Sequence, residues 1–242
     1  MDLAIIGAGE FAQEIYDMIQ GCNLKNQWNK IFFVDIESDA EKNVISEKDF
    51  FGRYPSDAEV VIALGEPMMR EKLRKVYQCK RFNFARVVHP NVVISPSAKI
   101  GDGAVIFPFV FISNNVKIGE NTVIHANAVI ENDCKIGSDC VINWQSGIGA
   151  NTFIGQGSFV GPNSVIRDGL DIGDHVIIGM GSVVVKNVES EVVYVGNPAR
   201  KIRGNSNGVG FAPPEWRYVL NKNTKIHYAI SKLVMSSYLE VA

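Results

Sequence analysis

The feature that most constrains this chain is a six-residue repeat of aliphatic side chains. From Ile94 to Val184, every sixth residue is isoleucine or valine, over sixteen consecutive hexads without an insertion. A mostly small side chain follows each of them by four residues. A helix of 3.6 residues per turn cannot keep this repeat on one face, and a simple strand alternates every two residues. Short strands of one hexad each, separated by corners, satisfy the pattern.

A second period of eighteen residues lies above the first. Glycine follows the aliphatic residue at Gly101, Gly119, Gly137, Gly155 and Gly173. Because eighteen residues make three hexads, each coil has three sides, and the sequence predicts a parallel β-helix of about five coils. Cys134 and Cys140 fall in the small inward series, so we expect them in the core rather than in a redox or metal site. The flat faces of such a prism need covering, which predicts a symmetric oligomer, most naturally a trimer.

The residues before the repeat have a different pattern. Residues 1–20 read as a strand, a glycine turn and a helix, and 31–37 and 58–65 read as further apolar strands. This pattern predicts a small βαβ unit with a parallel sheet. The turn from Gly7 to Ala12 fits a phosphate-binding turn at a helix N-terminus, and the alternative is a tight turn that binds nothing. The unit is too short for a full dinucleotide fold, so a mononucleotide is the better ligand.

We therefore predict three segments and exclude several classes of function. The segments are an α/β domain (1–85), a β-helix domain (86–203), and an extension with a loop and a helix (204–242). The net charge of −2 gives no nucleic-acid signature, and four cysteines and four histidines give neither a disulfide scaffold nor a zinc site. No apolar run approaches the roughly 20 residues of a membrane span, and no signal peptide is present. We expect a cytoplasmic protein without a metal.

Five stretches of the sequence resemble a known family. They are IIGAGEFAQEI, FFVDIE, ALGEPMMREKL, VVHPNVVISPSAKIGDGA and IGMGSVVVKNV…VVYVGNPARKIR. In order and spacing they resemble the bacterial hexapeptide-repeat sugar acetyltransferases, typified by the bacillosamine N-acetyltransferase and the sialic-acid O-acetyltransferase. The resemblance covers residues 1 to about 203. It implies a left-handed β-helix, although the usual crossover rule favours the right-handed form. It also implies a nucleotide sugar on the N-terminal unit and acetyl-CoA in a cleft between the subunits of a homotrimer.

The resemblance also implies positions for the ligand contacts. The nucleotide sugar would contact Gly9, Glu10, Phe11, Asp35, Ile36, Gly65 and Met68. Acetyl-CoA would contact Val141, Gly161, Pro162, Gly179, Met180 and Arg200. Glycine at a corner would let the pantetheine arm approach backbone donors. Glu10 departs from the expected pattern, because an acid beside a pyrophosphate is unfavourable unless it points away.

The catalytic base of the family is missing. The family motif reads Ile-Glu-His-Glu, whereas Ile130, Glu131, Asn132 and Asp133 stand here. Asparagine can hydrogen-bond a substrate but cannot accept a proton at neutral pH. His125 is a candidate replacement, yet the repeat puts it on a different edge of the prism, so it would reach the reaction across a subunit interface. The alternative is a corner histidine bonded to backbone.

Loss of the histidine favours an amine acceptor. A hydroxyl needs a general base, which is typically worth about 10²–10⁴ in rate, whereas a neutral amine attacks a thioester directly. We therefore predict N-acetylation of a UDP- or dTDP-linked amino-deoxy sugar for a surface glycan, with Asn132 orienting the amine and Asp133 collecting the proton. Two alternatives stay open: a sugar O-acetyltransferase that uses His125 as base, and a nucleotide-sugar-binding β-helix without catalysis.

Overall fold

The computed structural model describes residues 1–22, 24–54 and 57–205. The predicted extension lies outside the described residues, apart from Gly204 and Asn205. Within the described ranges, no helix is both long and apolar enough to cross a bilayer.

The N-terminal unit is a parallel sheet with helices around it. Its elements are β1 (Asp2–Ile6), α1 (Glu10–Gly21), a 3-10 turn (Leu24–Gln27), β2 (Ile31–Asp35), β3 (Val44–Ser46), α2 (Glu47–Arg53), β4 (Ala58–Ile62), α3 (Pro67–Cys79) and β5 (Asn83–Phe84). The strand order is β3-β2-β1-β4-β5, and every pairing is parallel. Strand β1 is central and apolar on both faces, as buried parallel strands require. Strands β2 and β4 end earlier than the sequence predicts, because the chain leaves the sheet at its carboxyl edge.

The hexads form three parallel sheets that make the three faces of a β-helix. The docking face holds β6 (Val87–Val88), β9 (Val105–Ile106), β12 (Val123–Ile124), β15 (Val141–Ile142), β18 (Phe159–Val160) and β21 (Ile177–Ile178), continued by β23 (Val192–Gly196) and β24 (Ala199–Gly204). The apolar face holds β7 (Val93–Ile94), β10 (Phe111–Ile112), β13 (Val129–Ile130), β16 (Gly147–Ile148), β19 (Val165–Ile166) and β22 (Val183–Val184). The lysine face holds β8 (Lys99–Ile100), β11 (Lys117–Ile118), β14 (Lys135–Ile136), β17 (Phe153–Ile154) and β20 (Asp171–Ile172). Each strand pairs with the one eighteen residues away, so the predicted fold class is confirmed.

The interior of the prism is the predicted ladder of aliphatic and small side chains. Cys134 and Cys140 are fully buried there, as predicted. The small polar members are satisfied by the coil above: the hydroxyl of Ser146 donates to the carbonyl of Gly161 at 3.0 Å, and that of Ser164 donates to Gly179 at 2.8 Å. These bonds remove the cost of burying hydroxyl groups in the core.

The corners of the β-helix show a residue preference that the six-residue repeat alone does not reveal. From Gly103 to Gly181, the third residue of each corner has a positive φ, between 53° and 74°. Most of these residues are asparagine, aspartate or glycine, the types that adopt the left-handed region at least cost. Asp133, with φ 60°, is one of them, so its residue type has a structural reason apart from any catalytic one.

The N-terminal unit packs on the docking face through apolar contacts and a polar clamp. The outward valines of this face, Val105, Val123 and Val141, are 0%, 0% and 2% exposed. Arg70 of α3 is fully buried and donates from Nη2 to both oxygens of Asn121, at 2.6 and 2.7 Å. Arg74, one helical turn on, is bidentate to Asp139 at 2.7 Å and 2.9 Å. The two units therefore have a fixed relative position.

Candidate active site

The carboxyl edge of the N-terminal sheet presents the predicted glycine turn. Gly7 has φ +111°, and a side chain there would lie 3.1 Å from the carbonyl oxygen of Ala63 on the neighbouring chain segment. Gly9 is the N-cap of α1, and no side chain caps this helix. A Cβ on Gly9 or on Gly65 would meet nothing within 4 Å. The N-terminus of α1 therefore lacks a side-chain cap and has open space beside its N-cap residue, an arrangement that suits an anion at a helix N-terminus.

Asp35 holds the turn in place from the end of β2. Its Oδ2 accepts from the amide of Ala8 at 3.0 Å, and its Oδ1 accepts from the amide of Ile36 at 2.7 Å. A carboxylate has further lone pairs, so Asp35 can still accept from a ribose or base. The cavity beneath it is only about 20 Å³, room for about one water, so a nucleotide would lie across the edge and not inside it.

Two carboxyl groups near this edge were not identified from the sequence. Glu47 begins α2 and lines the small cavity; burial raises its pKa, against a hydrogen bond from the Tyr77 hydroxyl. Glu66 is the N-cap residue of α3, directly after Gly65, and burial raises its pKa to about 7. No motif marks either residue, because the burial that shifts their pKa values arises only when the helices pack.

The predicted nucleotide contacts do not all lie together. Gly9, Glu10 and Phe11 sit at the start of α1, and Glu10 is exposed, as a pyrophosphate site requires. Asp35, Ile36 and Gly65 follow β2 and β4 at the same edge. Met68 instead lines a separate cavity of about 270 Å³ between α3 and the coil that contains His175.

His125 lies where the glycine turn meets the β-helix. Its ring stacks on Phe107 with centroids 4.9 Å apart and an interplanar angle of 15°. Phe11, from the first turn of α1, is 5.5 Å from the His125 ring and 6.0 Å from Phe107. His125 therefore lies where the carboxyl edge of the N-terminal sheet, which would hold the nucleotide, meets the β-helix.

The surroundings of His125 keep its imidazole neutral. Burial lowers its pKa to about 4, and the positive charge of Arg70 acts in the same direction. Its backbone N–H donates to Ile142 in the coil above, whereas among the described residues neither ring nitrogen has a hydrogen-bond partner. A neutral ring can accept a proton, yet a pKa so far below 7 makes it a weak base.

Asn132 and Asp133 lie at the next corner, between the apolar and lysine faces. The Asn132 amide donates to Asp133 Oδ2 at 2.7 Å, and Asn115 from the coil below donates to Asp133 Oδ1 at 3.0 Å. These two hydrogen bonds lower the pKa of Asp133. This bond uses one of the two N–H groups of Asn132, and its side-chain oxygen accepts no hydrogen bond from the described residues, so that oxygen can accept one from an amine. Within one chain this corner and that of His125 are different edges of the prism, as the repeat predicts.

The glycines of the predicted coenzyme edge have a different role from the expected one. The amide of Gly161 donates to Ile178 and that of Gly179 donates to Tyr194, both at 2.8 Å, so neither is free for a pantetheine arm. A Cβ on Gly161 would lie 2.6 Å from the backbone nitrogen of Met180, and one on Gly179 would lie 2.6 Å from the side chain of Val195. At these two positions, therefore, the next coil or strand leaves no room for a Cβ.

The remaining coenzyme residues differ in exposure. Val141 is 2% exposed beneath the N-terminal unit, so its side chain cannot contact a coenzyme, contrary to the prediction. Met180 is 69% exposed, and Pro162 is half-buried one coil below it on the same edge. Arg200 is exposed on β24, where its Nη1 donates to the carbonyl of Ala199 at 2.8 Å. An open edge for a coenzyme therefore stays a prediction that rests on Pro162, Met180 and Arg200.

Two family models match this chain, one for each unit. The PglD N-terminal domain matches residues 2–76, and the GMPPB C-terminal domain matches residues 88–194. No relative among curated proteins matches.

Solved structures with the same two-unit architecture cover most of the chain. PerB from Caulobacter crescentus, solved with CoA and GDP-perosamine, is 25% identical with a TM-score of 0.77, over 84% of this chain and 98% of that one. WeeI from Acinetobacter baumannii AYE is 26% identical with a TM-score of 0.61, over 84% and 100%. The acetyltransferase domain of PglB from Neisseria gonorrhoeae FA1090, 23% identical with a TM-score of 0.76 over 83% and 99%, shares the fold. The predicted resemblance to hexapeptide-repeat sugar acetyltransferases, and with it the acyltransferase class, is confirmed by these matches.

Proposed function

We propose that this protein transfers an acetyl group from acetyl-CoA to the amino group of a nucleotide-linked amino-deoxy sugar destined for a surface glycan. The observation that carries the proposal is the contact between the open glycine turn and the β-helix edge, through Phe11, Phe107 and His125. This contact would bring a bound nucleotide beside the edge of the β-helix where acyl transfer is proposed. PerB, which has the same architecture, was solved with CoA and GDP-perosamine, so GDP joins UDP and dTDP as a candidate nucleotide.

The chemistry at the two corners supports an amine acceptor. With a pKa of about 4, His125 is too weak a base to activate a sugar hydroxyl efficiently. A neutral amine needs no such activation: its lone pair attacks the thioester carbon, the C–S bond then breaks, and the proton leaves from nitrogen. The Asn132 oxygen would accept a hydrogen bond from the amine, and the ionised Asp133 beside it would collect the proton. A histidine-to-asparagine variant of the Caulobacter perosamine N-acetyltransferase was crystallised with CoA and GDP-perosamine.

The faces of the prism support a homotrimer. The docking face is covered by the N-terminal unit, and the lysine face is charged over its first three strands. The apolar face exposes a column of outward side chains, which are Val93 (60%), Phe111 (40%), Val129 (37%) and Val165 (49%). Such a column is unfavourable in water and is expected to be buried against other copies of the chain around a threefold axis.

This assembly would unite the two corners that one chain keeps apart. With the apolar face toward the axis, the edge that carries His125 in one subunit meets the edge that carries Asn132 and Asp133 in the next. His125 and Asn132 are seven residues apart in an eighteen-residue coil, so with coils about 4.8 Å apart they differ in height by about 2 Å. The active site would therefore lie between subunits, with the turn of α1 above it.

A thiol-release assay tests the function. The acceptors would be amino-deoxy sugars linked to UDP, dTDP and GDP, together with their hydroxyl counterparts, with acetyl-CoA as donor, on wild type and His125→Ala. We expect turnover with at least one amine, and a loss of less than tenfold in His125→Ala. A thousandfold loss in a folded variant would make His125 the base, and turnover with the hydroxyl acceptors alone would favour the O-acetyltransferase alternative. No turnover with any amine or hydroxyl acceptor, with nucleotide binding intact, would favour the non-catalytic alternative.

Charge substitution on the apolar face tests the assembly. Val129→Glu places a charge in the proposed interface, and we expect light scattering to give a monomer where wild type gives a trimer. Phe153→Glu is the matched control, because Phe153 is 42% exposed on the lysine face and should leave the trimer intact. A trimer that survives Val129→Glu, or is lost equally in both variants, would contradict this choice of interface.

A further inference from the structure

The lysine face of the β-helix carries a column of three lysines that the proposed acetyl transfer does not use. Lys99, Lys117 and Lys135 are the first outward residues of β8, β11 and β14, and they pair in register: Lys99 with Lys117, and Lys117 with Lys135. All three are exposed. Coils are about 4.8 Å apart, so the three lysines form a column of like charges on adjacent strands.

A column of this kind is unfavourable without an anion beside it. Like charges directly opposite one another on a sheet are destabilising. Among the described residues, none of the three lysines forms an ion pair within 4.0 Å. The nearby carboxylate of Asp133 is already bonded to Asn132 and Asn115. The column therefore presents three uncompensated positive charges.

The extent of the column matches the position of the glycine turn. In the next two coils the same outward position holds Phe153 and Asp171, so the positive charge ends after three coils. These are the coils at the end of the prism where Phe11 contacts Phe107 and His125. The lysines stand at the height of the turn and not elsewhere on the face.

The proposed trimer brings the column beside the turn of a neighbouring subunit. The lysine face begins at the edge that meets the neighbour's His125 edge, and each lysine is only two residues past its corner. Relative to the neighbour's His125, Lys117 lies about 2 Å lower and Lys135 about 3 Å higher, at about 4.8 Å per coil. In this trimer the docked N-terminal unit of the neighbour would stand next to this face, with the first turn of its α1 against its own Phe107 and His125.

We propose that Lys99, Lys117 and Lys135 bind the diphosphate of the nucleotide-linked substrate that is held on the neighbouring subunit. This inference rests on the proposed function and on its assembly. The amides of the α1 turn contact one side of the diphosphate, and the lysine column neutralises the other. The column would also offset the negative charge of Glu10, which is exposed in the first turn of α1.

Calorimetric titration with dTDP, UDP and GDP, without any acyl donor, tests the inference. For the tightest of the three, Lys117→Ala and Lys135→Ala should each raise Kd roughly three- to tenfold, and added salt should weaken wild-type binding more than variant binding. Lys186→Ala is the control: it removes an exposed lysine from the same β-helix and should leave Kd unchanged. Unchanged Kd in both variants, or an effect on CoA binding alone, would overturn the inference.

Mixed trimers test whether the lysines act across the interface. Gly9→Glu puts an acid in the turn, where the open space permits it, and Lys117→Glu with Lys135→Glu reverses the column. Co-refolding the two in equal amounts should restore nucleoside diphosphate binding in about one site in four, because each restored site takes its turn and its lysines from different subunits. No restoration would overturn the arrangement. Because binding is the readout, a chain that binds through the column but transfers no acetyl group would refute the proposed function alone.

Discussion

Two buried groups with opposite pKa shifts give a sharp prediction about stability and pH. Burial lowers the pKa of His125 from 6.5 to about 4 and raises that of Glu66 from 4.5 to about 7. Between about pH 4 and pH 7, the folded protein therefore favours the neutral form of both groups. The perturbations are His125→Phe, which keeps a ring against Phe107, and Glu66→Gln, which keeps the shape without the titration.

The signs of the two effects are opposite. In the unfolded chain His125 takes up a proton as the pH falls below 6.5, which the folded protein resists, so stability is lost toward pH 4. The folded protein keeps the proton of Glu66 until about pH 7, so the stability from this group is present at low pH and is lost as the pH rises from 4.5 to 7. Each shift is about 2.5 pH units, so each is worth about 3 kcal/mol over its window. As the pH rises from 4 to 7 one cost falls while the other grows, so the two pH dependences nearly offset each other in the wild type.

Denaturant unfolding at fixed protein concentration between pH 4 and 7.5 checks this. Relative to the wild type, the free energy of unfolding of His125→Phe should fall by about 3 kcal/mol as the pH rises from 4 to 6.5. That of Glu66→Gln should instead rise by about 3 kcal/mol between pH 4.5 and 7. Variant curves that run parallel to the wild type within about 0.5 kcal/mol would show that neither group titrates as its burial requires, and the argument from a neutral His125 would fail.

Two further predictions concern packing. Asp139→Asn removes the carboxylate that Arg74 pairs with at the junction of the units, and we expect it to lower the free energy of unfolding by about 2–4 kcal/mol, whereas a loss under 0.5 kcal/mol would mean that the clamp is unimportant. Gly161→Ala places a Cβ 2.6 Å from the next coil and should cost at least about 2 kcal/mol in the same assay. Gly52→Ala, in an open helical site, should be neutral or stabilising, and an equally mild Gly161→Ala would reopen a coenzyme role for that glycine.

The β-helix could be predicted from the sequence because its register repeats. One hexad fixes a strand and a corner, and an uninterrupted repeat fixes every later one, so the inward series from Ile106 to Val184 follows without any long-range reasoning. The N-terminal strands could be predicted for a related reason, since buried parallel strands are nearly continuous apolar runs. The predicted ends of these strands are less accurate, because no residue type marks the point where the chain leaves the sheet.

The site was harder to predict because its properties depend on packing between the units. Nothing near His125 in the sequence indicates that Phe11 covers its ring or that Arg70 lies near it. The coenzyme glycines are expected from the resemblance alone, and in the structure neither Gly161 nor Gly179 leaves room for a Cβ, although the equivalent corner positions of other coils hold Phe107, His125 and Asn143. The lysine column, by contrast, follows from the period of eighteen, because Lys99, Lys117 and Lys135 hold the same outward position in successive coils.

The most direct test of the central claim compares two acceptors that differ in one atom. An amino-deoxy sugar and its hydroxyl counterpart, on the same nucleotide, would be offered with acetyl-CoA, and the acetylated products quantified by mass spectrometry. We expect an acetamido product from the amine at a rate at least about a hundredfold above that of any ester from the hydroxyl. A hundredfold is the lower end of what a general base contributes to the rate, and the site lacks such a base. An ester formed as fast as the amide would contradict this prediction, because the sugar hydroxyl would then need a general base that the proposed site lacks.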